Sequence, residues 1–79
     1  MDDQPTLLWT LRREHDTVAC QVRLKPYGIE VDITHDDAVV LTRVFETDAE
    51  ALAWAGRKRV AREADGWQAV EHLPSEIRH

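Results

Sequence analysis

A single cysteine, Cys20, stands among the 79 residues. One thiol excludes an internal disulfide and any cysteine-based metal cluster within one chain, and it fits a reducing compartment. Glycine is scarce too, with three residues, and neither a glycine-rich phosphate loop nor a serine nucleophile elbow can be found. No apolar run approaches the length of a bilayer span. The acidic start at Asp2 and Asp3 has no apolar signal core, so a cytoplasmic location is expected. Basic residues are in the minority, 10 Lys and Arg against 15 Asp and Glu, for a net charge of −5. That field repels nucleic acid and anionic lipid, leaving a local basic patch as the only route to either.

What is present is the make-up of one small globular domain, 43% hydrophobic and 32% charged. A core this small sits near the lower limit for independent stability, and such cores often recruit a second copy. The organising stretch runs from Thr47 to Gly66. Thr47-Asp48-Ala49-Glu50 has capping-box spacing and starts a helix, while Asp65-Gly66-Trp67 stops it, with Gly66 free to take positive φ and Trp67 folding back. Glu46, Asp48 and Glu50 suit the positive end of the helix dipole.

Before the helix the pattern alternates with period two. Leu7, Trp9 and Leu11 share one face of a first strand, and Val18, Cys20, Val22 and Leu24 one face of a second. With Arg13 beside Asp16, Leu11 faces Val18, Trp9 faces Cys20 and Leu7 faces Val22. Lys25-Pro26-Tyr27-Gly28 is a turn. Beyond it, Ile29, Val31 and Ile33 fold back so that Arg23 faces Glu30, Gln21 faces Asp32 and Val22 faces Val31. His35-Asp36-Asp37-Ala38 turns into a fourth strand, Val39 to Phe45, whose apolar residues fall at both parities and leave its register open; in one register Arg43 reaches Glu30. The expected fold is α+β: a four-stranded antiparallel meander (ββββα) with one helix on one face, in two layers. Residues 1–6 are expected to form an arm, 7–67 the domain, and 68–79 an extension with one short helical turn before Pro74 and a mobile end.

The helix carries two stripes. Ala49, Leu52, Ala53, Gly56, Val60 and Ala64 form the ordinary core-facing pattern, with Gly56 explained by close approach of the helix backbone to the sheet. Ala51, Trp54, Ala55, Lys58 and Ala61 form a second stripe on nearly the opposite face. If the first stripe is the core, Trp54 is an interface anchor framed by alanines. If the helix is rotated, Trp54, Val60, Ala61 and Ala64 are core and Leu52 lies at the rim. Periodicity leaves both readings open.

Trp9-Thr10-Leu11-Arg12, Cys20, Pro26-Tyr27-Gly28-Ile29-Glu30 and Gly66-Trp67 resemble a set of small bacterial proteins of four strands and one helix with no assigned activity. The resemblance covers most of residues 7–67 and implies a fold and a bacterial origin. The run Asp48-Ala49-Glu50-Ala51-Leu52-Ala53 is also similar to the helix opening of antitoxins of the HicB kind, although the longer proline-rich loop of that family is missing and a fourth strand is present.

Three functional readings follow. The preferred one is a non-enzymatic protein–protein interaction or regulatory module, self-associating as a homodimer through Ala51, Trp54, Ala55, Lys58 and Ala61, with no cofactor and no small-molecule substrate. The alternative is a nucleic-acid-associated or antitoxin-like regulator using Arg57, Lys58, Arg59 and Arg62, although these are spread around the helix and the helix dipole also accounts for them. The third is a small metal-binding protein. The first and third turns lie at one end of a meander, bringing Glu14, His15 and Asp16 to the same edge as His35, Asp36 and Asp37, about 10 Å apart across a strand. Solvated turns are the ordinary account of such residues. Cys20, on the apolar face opposite Trp9, reads as a buried small hydrophobe.

Overall fold

The structure, a computed structural model, describes residues 5–70. The first four residues of the expected arm, and residues 71–79 of the expected extension, lie outside them. Strands β1 (Thr6–Arg13), β2 (Asp16–Lys25), β3 (Gly28–His35) and β4 (Ala38–Phe45) precede helix α1 (Asp48–Ala64), and a two-residue strand β5 (Gln68–Ala69) follows it. The first four strands form an antiparallel meander and β5 joins beyond β1, giving the order β4-β3-β2-β1-β5. The helix lies on one face, so the fold is α+β in two layers.

Side-chain alternation sets the pairing. Trp9 faces Cys20, Leu11 faces Val18 and Arg13 faces Asp16, as the hydrophobic pattern requires. The register then shifts between Leu7 and Trp9, so Thr6 rather than Leu7 sits opposite Val22 and Leu7 faces Gln21. This bulge takes up Leu8, which packs against the core, and turns Leu7 away from it. The β2–β3 hairpin has the expected register throughout. In β4, Leu41 opposes Ile33 and Arg43 opposes Val31, so Arg43 lies on the helix-facing side and Val44, not Arg43, is beside Glu30. A second shift between Ile33 and Thr34 leaves Val40 as the extra residue, which explains why apolar residues occur at both parities.

The helix is capped as its sequence dictates. Thr47 Oγ1 accepts from the Glu50 amide at 3.1 Å. At the other end Gly66, at φ +98°, donates to Glu63 O while Trp67 donates to Arg62 O, the paired bonds of a Schellman motif. Trp67 is thereby turned into the core, where Arg13 and Arg62 stack on its ring, and Arg13 Nη1 also donates to Asp65 O. The chain then continues as β5, with Ala69 opposite Leu11, where the sequence suggested a helical turn. Two residues carry no periodic signal; what makes them a strand is the open edge of β1, which supplies bonding partners such as Thr10 O for the Val70 amide.

The rotation of α1 decides the core. Ala51, Trp54 and Ala55 face the sheet and join Trp9, Leu11, Val18, Cys20, Val31, Ile33 and Trp67. The stripe expected to be core points outward instead: Leu52 and Val60 are exposed, and Gly56 has nothing within 4 Å of where a Cβ would stand. Burying one indole removes more apolar area from water than burying Leu52 would, and the flanking alanines let the helix axis come close enough to seat it.

Candidate interaction surface and turn cluster

Trp54 is 6% exposed, and its ring packs on Phe45 with centroids 5.6 Å apart. It is therefore a core residue of a single chain, which overturns its assignment as an interface anchor. Arg43 and Lys58 lie over its ring, 5.7 and 5.2 Å from the centroid, a cation–π arrangement on both counts. Of the rest of that proposed stripe, Ala51 and Ala55 are buried beside it, Lys58 is half-buried and Ala61 is exposed. The five residues do not form one docking surface.

The apolar surface lies elsewhere. Of the nine exposed large hydrophobic residues among those described, four are on β4: Val39, Val40, Leu41 and Val44. Every residue from Ala38 to Val44 is exposed. Strand β4 ends the sheet, with β3 on one side and no described strand on the other, so one row of its backbone N–H and C=O groups faces outward. Arg43 is its one charged residue, and the turn before it carries Asp36 and Asp37. Periodicity could not reveal this, because strand alternation says which face a side chain takes and not which strand ends the sheet.

A shallow cleft of about 310 Å³ opens where the start of the helix meets the ends of β1, β2 and β3, lined by Val22, Leu24, Ile29, Ala51 and Leu52 with Thr6 and Asp48 as its polar residues. No pair of titratable groups converges there. The buried carboxylate of Asp32 is on the other face of the sheet, where it accepts from Thr42 Oγ1 at 2.8 Å and lies 3.5 Å from Arg23 Nε, a satisfied structural position. The Cys20 thiol is pushed up from 9.0 to about 12, first by burial and then by the charge of Asp32, which leaves it a poor nucleophile.

The basic residues of α1 diverge. Lys58 lies over Trp54, Arg62 over Trp67, and Arg59 Nε is 3.0 Å from Glu63 Oε2. Arg57 is exposed and, with Arg43, Glu46 and Glu50, borders a surface hollow of mixed charge. Together Arg57, Lys58, Arg59 and Arg62 line no single groove for a phosphate backbone.

The turns are closer than expected. Their tips were placed about 10 Å apart across a strand, but β2 and β3 are adjacent, so the start of one meets the end of the other. His35 Nε2 lies 3.8 Å from Asp16 Oδ2 and 3.7 Å from Asp36 Oδ2. Asp36 is held by two bonds: its amide donates to Thr17 O at 2.8 Å and its Oδ1 accepts from the Thr17 amide at 2.9 Å. Glu14, His15 and Asp37 are outside this group.

The sequence matches no protein-family model, and no curated protein or solved structure shows significant similarity to it.

Proposed function

We propose that this protein is a non-enzymatic interaction module that engages another polypeptide by strand addition along β4, and that the polypeptide is β4 of a second copy. The supporting observation is the open edge itself, eight residues long, with Val39, Val40, Leu41 and Val44 exposed. Sheet edges left bare in this way are templates for pairing. Antiparallel self-pairing carries each Arg43 toward the acidic Asp36–Asp37 turn of the other copy, whereas parallel pairing sets arginine beside arginine. Self-association thus stays the preferred reading, moved from the helix to the sheet.

Sedimentation velocity across micromolar concentrations tests it. The expected result is a concentration-dependent dimer that Val40→Lys with Val44→Lys converts to monomer while the circular dichroism spectrum stays folded. A wild-type monomer throughout, or a doubly substituted protein that still dimerises, would refute it.

A further inference from the structure

The geometry points to a divalent metal site of the zinc class at the turn end of the sheet, formed by Asp16, His35 and Asp36 and separate from the edge of β4. One imidazole nitrogen and two carboxylate oxygens, all within 4.8 Å of one another, make a mixed donor set from two chain segments. Imidazole with carboxylate suits zinc and its first-row neighbours, at bond lengths of about 2.0–2.2 Å. Closing the 3.7 and 3.8 Å separations onto such an ion needs shifts of only a few tenths of an ångström at each half-exposed side chain.

The scaffold around the three donors is fixed. Asp16 opens β2 and His35 ends β3, and the ladder between them sets Val18 opposite His35. The Thr17 amide holds one oxygen of Asp36 and leaves the other beside the imidazole, the outer-shell support that ligating carboxylates need. His35 also stands T-shaped to buried Trp67, with ring centroids 6.0 Å apart at 88°. Charge argues the same way. Two aspartates leave a net −1 even when the imidazole is protonated, and Glu14 and Asp37 in the same turns outweigh the one positive charge of Arg13 opposite Asp16, whereas a divalent ion bound to neutral imidazole cancels both carboxylates. Solvent at the exposed cluster supplies the remaining ligand.

Calorimetric titration of tag-free full-length protein with zinc tests the site, alongside the shift in melting temperature that zinc produces. The expected result is one ion per chain and a raised melting temperature, with binding weakened about tenfold or more by His35→Ala and by Asp16→Asn or Asp36→Asn. His15→Ala and Asp37→Asn, in the same turns but outside the cluster, should bind as wild type. No heat and no thermal shift with zinc overturns the proposal. So does binding that survives His35→Ala, or binding that His15→Ala abolishes.

Discussion

The indole Nε1–H of Trp9 donates to the backbone carbonyl of Ala55 at 3.0 Å, joining the middle of β1 to the middle of α1 across 46 residues of chain. Only a helix with a small side chain at that point can bring its backbone so near the sheet. Trp9→Phe keeps an aromatic ring but loses the pyrrole half of the indole with its donor, leaving a small void beside the carbonyl. The expected cost is about 1–2 kcal/mol, combining the lost hydrogen bond with incomplete packing. For a domain of this size each kcal/mol lowers the melting temperature by about 4–8 °C. Thermal and urea unfolding of the variant check both values.

Gly56 was expected to be squeezed between helix and sheet, and it is not. Nothing lies within 4 Å of a Cβ placed there, and its backbone is helical. Gly56→Ala should therefore stabilise the protein by about 0.5–1 kcal/mol, through the lower entropy of the unfolded chain. A destabilised variant in urea titration would mean that the helix packs through this face after all.

These two positions show where the sequence was legible and where it was not. Hairpins β1–β2 and β2–β3 could be read because each gathers its buried apolar residues on one face, so a slip by one residue would turn Val18, Cys20 and Val31 away from the helix. The caps at Thr47 and Gly66 are local chemistry and were readable for that reason. Helix rotation was not, because the stripe through Leu52 and Val60 and the stripe through Trp54 compete, and their order depends on how well the indole fits against Phe45. Strand β5 and the bulges at Leu8 and Val40 are tertiary outcomes with no short-range signal. The same limit hid the candidate surfaces: the open edge of β4 depends on strand order, and the meeting of Asp16 with His35 on which turns become neighbours.

Gly28 is held as glycine by its backbone angle and by its surroundings together. Its φ is +147°, and an added Cβ would stand 2.7 Å from the carbonyl oxygen of Phe45, a backbone atom that cannot swing aside. Gly28→Ala should cost about 1–3 kcal/mol, the range for a side chain forced into such a conformation, and shift the urea midpoint down with little change in slope. Since Gly28 abuts the end of β4, amide exchange in Val44 and Phe45 should quicken more than exchange in β1.

Cys20 gives the protein a pH dependence whose sign can be worked out. The thiol is fully buried against Trp9 and Ile33, and burial followed by the nearby charge of Asp32 pushes it from 9.0 up to about 12. The unfolded chain therefore loses this proton first as pH rises. Between about 9 and 12 the unfolded state binds fewer protons than the folded one, so stability contributed by the neutral buried thiol is present below that window and drains away across it. The slope for one such group is on the order of 1 kcal/mol per pH unit. The measurement is a difference: urea unfolding of wild type and Cys20→Ala at intervals from pH 8 to 10.5. The alanine variant should start out less stable because of the cavity it leaves, and the gap should narrow as pH rises. A gap that stays constant would mean that the thiol ionises in the folded protein as readily as in the unfolded chain, and a thiol reagent should then modify folded protein at pH 9 at the unfolded rate.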